Sequence, residues 1–486
     1  MLDLSQNSQI IEQTVAYCRQ KHIVLPTFAM MQDPLKIPDQ IKTELSQIGL
    51  WDVHSANLFR ITWKNEATDH GGLFGGVNHM VIPPELTGCG ATIIALTGRW
   101  FPTGAHKVGA TYGCFVPRLI TGQFNPLKTK AVWPSTGNYC RGGAYISALL
   151  ACQSIAILPE GMSKERFAWL QRVAGEVIST PGSESNVKEI FDKCWELRNS
   201  GQDLMIFNQF DEMGNPFWHY HVTGLAVAEL LDSHLTGKQR LAGYVAASGS
   251  GGTLGAGYYL KKRYPGTQLA VAEALQCPTL LHNGFGEHRI EGIGDKHVPW
   301  VHDLKNTDFV IAVDDERPMR LLRLFNEPKG RTALIDTGID AELVNQLDLL
   351  GISGIGNLLA CIKFAKYNEL TSNDVVVTIA TDSMDLYQSR LQELTDQHGA
   401  YSHDQAQRDL ELLHTLGIDW MQELGYYDRK RIHNLKYYTW IEQQGRDVSE
   451  LNAQWYDHEA YWEGTFDQMT EIDALIEEFN ARVGIV

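Results

Sequence analysis

The chain has 486 residues, too many for one simple domain and enough for two or three units or one large two-lobed enzyme. Hydrophobic residues make up 44% and charged residues 20%, the balance of an ordinary globular protein with a sizeable core. A net charge of −17 argues against nucleic acid or an anionic membrane as main partner, though not against a small anion held in a local site.

Residues before about Gly71 carry amphipathic helix patterns, as in Ile10–Arg19 and Asp39–Ile48. Strand and helix signals then alternate. Ala91–Leu96 is a buried-strand run, and helical patterning follows Lys107. Next come strand Lys130–Trp133, a helix over Cys140–Cys152, strand Ser154–Leu158, a helix over Ser163–Ala174 and strand Glu176–Ser179. Leu204–Phe207, Leu241–Ala247, Gln268–Ala272, Phe309–Val313 and Val375–Ala380 continue the strands. Short apolar runs separated by helices predict βαβ units and a mostly parallel sheet covered on both faces. After about Gly399 the chain reads as helical, charged and rich in Trp and Tyr, and scattered aromatics at that spacing are read as core or subunit interface.

Three loops carry chemistry. Ser248-Gly249-Ser250-Gly251-Gly252-Thr253-Leu254-Gly255 lies between a strand and a helix. Its glycines let backbone N–H groups converge on one anion, and the helix N-terminus adds its positive end. A dinucleotide fingerprint is a rival reading: Glu273 stands about twenty residues on, but Leu254 occupies a position that needs glycine. In Thr103-Gly104-Ala105-His106-Lys107-Val108-Gly109, a lysine opens an apolar helix after a buried strand, a setting that favours its neutral, nucleophilic amine. Ser135-Thr136-Gly137-Asn138-Tyr139 precedes a helix and suits a carboxylate, although taken alone it is also a good N-cap turn.

Together, in this order, these loops resemble the cysteine synthase and cystathionine β-synthase family of fold-type II pyridoxal 5′-phosphate (PLP) enzymes, cousins of tryptophan synthase β. Leu158–Arg166, Asn208-Gln209-Phe210 with Asn215-Pro216 and His219, His288–Gly294, Gly351-Ile352-Ser353-Gly354 and Thr381–Tyr387 fit the same template, over roughly residues 72 to 395. The resemblance implies an α/β fold of two three-layer α/β/α subdomains with the cofactor between them, plus helical extensions at both ends. The expected spans are an N-terminal helical extension over 1–71 and a smaller mobile subdomain over 72–220, with Lys107 at the interface. A larger PLP-binding subdomain over 221–395 and an aromatic-rich helical extension over 396–486 follow.

The resemblance also implies residue roles. Lys107 is the Schiff-base lysine and carries the proton at Cα. Gly249, Ser250, Gly251, Gly252 and Thr253 hold the phosphate. Asn138 faces the ring O3′ and Ser383 the ring nitrogen, while strand alternation should turn Asp382 to the other side. Ser135, Thr136, Gly137 and Gln209 receive the substrate carboxylate, Gly292 lies beside ring and substrate, and Tyr139 belongs to the substrate pocket. A neutral hydroxyl at the ring nitrogen favours expulsion of a β-leaving group over transamination.

The chain departs from the family at Tyr139, where a small threonine is usual, at Cys140 and Arg141, and at Gly294-Asp295-Lys296-His297. The expected activity is β-replacement or β-elimination on serine, an O-activated serine or cysteine, with sulfide or a thiol as second substrate in replacement. Serine or threonine deamination, a non-catalytic regulatory homologue and a nicotinamide-dependent dehydrogenase are the alternatives. His219 and His221 lie two apart and cannot share a helix face, so no metal is expected. Eight cysteines without a CxxC pair, a polar start at Met1–Gln6 and the lack of an apolar run near ~18 residues predict a cytoplasmic protein outside the membrane. A homodimer is expected.

Overall fold

The computed structural model describes residues 1–294 and 296–485; Asp295, one of the departures noted above, lies outside them. The strands are β1 His79–Ile82, β2 Thr92–Thr97, β3 Lys130–Pro134, β4 Ser154–Pro159, β5 Glu176–Thr180 and β6 Leu204–Ile206. They continue with β7 Arg240–Ala247, β8 Gln268–Ala274, β9 Phe309–Val313, β10 Asp374–Ala380 and β11 Met421–Glu423. Every residue of β4, β9 and β10 is buried, as expected for parallel strands covered on both faces, where continuous apolar runs replace alternation.

Two sheets form. The smaller has the order β5-β4-β3-β6 and is parallel throughout. The larger has the order β1-β2-β10-β7-β8-β9-β11, parallel except for the antiparallel edges β1 on β2 and β11 on β9. The observed α/β architecture with helical extensions matches the fold class read from the sequence.

The subdomain limits need correction. β1 and β2 fall inside the span 72–220 but pair into the larger sheet through the β2–β10 ladder, so the strands of the smaller sheet lie within 130–206. The C-terminal span is likewise no separate layer, because β11 forms the far edge of the larger sheet. The helix placed over Cys140–Cys152 runs over Asn138–Leu149, so its N-terminus opens directly into the Ser-Thr-Gly turn.

The two extensions pack on each other and on the core. In the helix Met469–Val483, Asp473 accepts from the N–H groups of Phe28 and Ala29 at 2.7 and 3.0 Å, and Asn480 pairs in both directions with Leu25. Lys436 is fully buried and donates to the carbonyls of Trp300 and His302 and to Gln454 Oε1, at 2.6–2.9 Å. Trp440, Trp455 and Trp462 are buried around it, whereas Tyr426, Tyr427, Tyr438 and Tyr456 are exposed.

Removing residues after Gly399 takes away an edge strand, the Lys436 ammonium and both anchors of the N-terminal segment. The truncated chain is expected to aggregate on expression or lose its cooperative thermal transition. A soluble 1–399 chain with the melting temperature of the full chain would show that the region is an independent module.

Candidate active site

Lys107 begins the helix Lys107–Ile120 and is buried, with 8% of its surface exposed. Its Nζ donates to Ser250 Oγ at 3.2 Å, which joins the lysine to the glycine loop. The preceding His106 is fully buried, and its Nε2 lies 3.3 Å from Thr381 Oγ1. Burial, and after it the charge of Lys107, pushes the His106 imidazole well below its ordinary range, so it sits beside the amine as a neutral ring.

The glycine loop follows β7 and leads into the helix Leu254–Arg263. Among the described residues, the N–H groups of Gly249, Ser250, Gly251, Gly252 and Thr253 donate to no protein acceptor. Five successive donors ending at a helix N-terminus form a concavity for an anion. Gly251 has φ +79°, a backbone state that disfavours a side chain. At Gly252 a Cβ would lie 1.9 Å from Asn215 Oδ1, and the Asn215 amide donates to Ser250 Oγ at 2.9 Å.

The Ser-Thr-Gly turn faces this loop. Ser135 Oγ accepts from the Gly137 N–H at 3.1 Å and from Gln209 Nε2 at 3.2 Å, which leaves its own proton to donate elsewhere. Gly137 is obligatory for a different reason: a Cβ there would lie 2.6 Å from the Arg166 guanidinium. Lys107, Ser135, Thr136, Asn138, Tyr139, Gln209, Gly249, Ser250 and Gly292 thus line one narrow cavity together with Glu184, Phe210 and Thr381.

Ser383 is buried just beyond the end of β10, and its Oγ donates to Asp385 Oδ2 at 3.1 Å. β10 ends at Ala380, so alternation no longer governs where residues 382 and 383 point, and Ser383 caps the short helical turn Met384–Leu386. Asp382 points inward. It accepts from Asn138 Nδ2 at 2.6 Å and from the Tyr387 hydroxyl at 2.7 Å, so the Asn138 amide is already engaged by protein.

Two residues at the site had no role in the sequence reading. Ser353 begins the buried helix Ile352–Tyr367 as its second residue, and its Oγ has no hydrogen-bond partner among the described residues. A Cβ on Gly292 would lie 3.4 Å from the Ser353 Cβ, so this hydroxyl flanks the cavity wall. The signal was present in Gly351-Ile352-Ser353-Gly354, a hydroxyl among glycines at a helix start. Glu184 carries no local signal. It sits in the loop after β5, is 3% exposed, and accepts from Thr136 Oγ1 through Oε1. Burial pushes its carboxyl up to about 7 against the opposing pull of Arg166 and the Thr136 hydrogen bond.

Arg166, on the helix Lys164–Val173, closes the back of the site. It contacts Glu291 Oε2 at 2.6 Å, the Tyr387 hydroxyl at 2.8 Å and Asp382 Oδ2 at 3.5 Å, all buried. Glu291 is held from the other side by Arg390 at 2.6 Å.

Residues 101–382, more than half of the chain, match the family model described as "Pyridoxal-phosphate dependent enzyme". The chain belongs to this family. It is 27% identical over 313 residues to cystathionine β-synthase of Saccharomyces cerevisiae, covering 63% of this chain and 58% of that protein. It is 30% identical over 269 residues to cysteine synthase of Staphylococcus aureus, covering 55% of this chain and 78% of that protein. The crystal structure of an O-acetylserine dependent cystathionine β-synthase from Helicobacter pylori superposes with a TM-score of 0.54 at 25% identity, over 64% of this chain and 94% of that one.

Membership identifies the chain as a PLP-dependent enzyme and sets aside the dehydrogenase and non-catalytic readings. The residues fit the cofactor. Five unpaired N–H groups match a phosphate, and Lys107 supplies a buried amine beside them.

Lys107→Ala is expected to abolish covalent attachment of the cofactor and turnover; borohydride reduction followed by peptide mapping checks it, and a label on another lysine would show the assignment wrong. Gly251→Leu forces a side chain into the left-handed region and should strip the cofactor while the fold persists, seen as loss of the visible absorption band at unchanged far-ultraviolet circular dichroism. Arg166→Leu removes the cation shared by two buried carboxylates, which Arg390 and Arg141 offset only in part, and should destabilise the protein by about 3–5 kcal/mol in denaturant unfolding.

Proposed function

We propose that this enzyme carries out β-replacement or β-elimination on a small amino acid: serine, an O-activated serine or cysteine, with sulfide or a thiol as second substrate. The observation that carries the reading is the convergence on one cavity of a buried lysine amine, an anion cradle and a carboxylate-binding helix N-terminus. The relatives named cysteine synthase and cystathionine β-synthase support it.

When bound, PLP supplies an electron sink conjugated to the substrate Cα. The protein supplies placement and proton handling. The Ser135 hydroxyl and the N-terminus of the helix Asn138–Leu149 receive the carboxylate, with Gln209 orienting Ser135, while the Thr136 hydroxyl is engaged by Glu184. That anchorage presents Cα to Lys107 Nζ, which takes and returns the Cα proton. The neutral His106 adds no competing charge next to that amine. Ser383 or the unpaired Ser353 would offer the ring nitrogen a neutral hydroxyl rather than a carboxylate, a setting that would favour β-chemistry over transamination.

A cytoplasmic, homodimeric protein is part of the same reading. All eight cysteines are buried free thiols, and no single helix among the described residues is long and apolar enough to cross a membrane. The exposed Tyr426, Tyr427, Tyr438 and Tyr456 are the surface offered for a second copy. A monomeric mass by light scattering would remove the dimer.

The purified enzyme is expected to form a thioether or cysteine from serine, O-acetylserine or cysteine with sulfide or a small thiol, detected by mass spectrometry. Formation of 2-oxo acid and ammonia alone, with no sulfur incorporated, would remove β-replacement and leave elimination; release from serine or threonine but not from cysteine or O-acetylserine would support the deaminase reading.

A further inference from the structure

Glu184 is an uncommon feature for a catalytic cavity lined mainly by hydroxyls, amides and glycines. Its carboxylate is 3% exposed; Oε1 is occupied by the Thr136 hydroxyl, while Oε2 makes no well-formed hydrogen bond among the described residues and the Gly292 N–H is the backbone donor closest to the carboxylate. An unsatisfied buried carboxylate oxygen is costly and calls for a partner that arrives with the substrate. Glu184 also lines a second cavity of about 210 Å³, bounded by Gly161, Met162, His288, Glu291 and Arg390. It therefore stands in the wall between the catalytic cavity and a vestibule, a position from which a small molecule at Cβ can be reached.

We propose that Glu184 cycles a proton between the group that leaves Cβ of the donor amino acid and the thiol that replaces it. The proposal rests on the β-replacement reading and sharpens its substrate class to an unactivated β-hydroxy amino acid. In the first half, the acid form of Glu184 gives its proton to the leaving oxygen as the Cβ–O bond breaks with its electron pair, so serine loses water rather than hydroxide; Lys107 holds the proton taken from Cα. In the second half, the S–H proton passes to the resulting carboxylate as a sulfur pair forms the Cβ–S bond. The pair displaced from Cβ ends at Cα, which takes its proton back from Lys107. Serine and a thiol become a thioether and water, with no oxidant or reductant. Each turnover returns Glu184 to its acid form.

The environment suits both halves. Burial holds the Glu184 carboxyl near about 7, between the ordinary ranges of a carboxylic acid and a thiol, so neither transfer runs steeply uphill. The groups facing it are Arg166 and Glu291 behind, the Thr136 hydroxyl and the Gly292 N–H beside it, Lys107 across the catalytic cavity, and His288, Arg289, Arg390 and Glu393 around the vestibule. Arg289 and Arg390 are paired with carboxylates of their own, which leaves Arg166 as the main cation acting on Glu184. An acetoxy group departs as acetate without needing a proton, and hydrosulfide arrives partly ionised, so O-acetylserine with sulfide bypasses the cycle.

The test compares the holoenzyme and its Glu184→Gln and Glu184→Asp variants with serine plus a small thiol and with O-acetylserine plus sulfide. The cofactor band and thermal transition serve as controls for folding. The ratio of serine to O-acetylserine turnover is expected to fall by about 10²–10⁴-fold in Glu184→Gln and to recover partly in Glu184→Asp. In the wild type, serine turnover should fall as pH rises through about 7, where the acid form is lost, and this limb should vanish in Glu184→Gln. An unchanged ratio, whether both rates drop together or neither drops, overturns the proposal. A wild type that uses O-acetylserine but not serine overturns it and leaves β-replacement standing. A wild type inert with both donors removes the β-replacement reading itself.

Discussion

The site depends on one buried cation. Arg166 comes from the helix after β4 of the smaller sheet, yet each of its carboxylate partners belongs to the larger sheet's half: Glu291 from the loop after β8 and Asp382 from the end of β10. Taking a guanidinium out of water costs several kcal/mol, and only closely placed carboxylates offset that cost. The two sheets are therefore held in register by a charge that neither half satisfies alone. The same guanidinium presses on Gly137, so the turn that receives a carboxylate is set by the contact that joins the halves. A second buried guanidinium, Arg141, stands over the Trp169 ring at 4.7 Å; burial, and after it the charge of Arg166, lowers it to about 10. Asp382 thus answers to two cations, and its bond to Asn138 carries that charge balance into the cavity wall.

Around this clamp the anion site is built from backbone alone. A chain of charge −17 repels phosphate at long range, but five N–H groups and a helix N-terminus act at contact distance, where net charge matters little. Lys107 adds its amine through Ser250, a residue of the cradle itself, so cofactor phosphate and covalent anchor share one loop. The termini complete the body around it. Asp473 and Asn480 fasten the N-terminal segment, and Lys436 satisfies carbonyls of the loop beyond β8 that would otherwise be buried without donors.

Most strands were legible because continuous apolar runs have one use in a doubly covered parallel sheet, as β4, β9 and β10 illustrate. β1 and β11 were not, being three or four residues long at sheet edges; the boundary at residue 72 put β1 and β2 on the wrong side because their pairing with β10 is far away in sequence. Lys107, the glycine loop and the Ser-Thr-Gly turn were legible because their chemistry is local: a turn, a helix start, a run of glycines. Asp382 was turned the wrong way by extending strand alternation past the strand's end, since it bonds Asn138 in the cavity wall, and Ser353 was passed over although its motif was in view. Glu184 and Arg166 acquire their roles only from residues more than forty positions away, so no reading of neighbours reveals them.

The departures at Tyr139, Cys140 and Arg141 take a different meaning in three dimensions. Tyr139 lines the cavity while its ring packs 5.6 Å from Trp133, and its phenol, pushed well up by burial, lies near Cys114 and Glu212. Cys140 Sγ donates to the Gly137 carbonyl at 2.9 Å, and Arg141 leans on Trp169. Cys140 and Arg141 brace the carboxylate turn. The bulky Tyr139 both packs against the sheet and narrows the cavity. What distinguishes the cavity chemically is the carboxylate across from that turn, bonded to Thr136 within it. Among the described residues lining this cavity, Glu184 is the carboxylate, so its protonation adds a chemical variable that the shape of the turn does not.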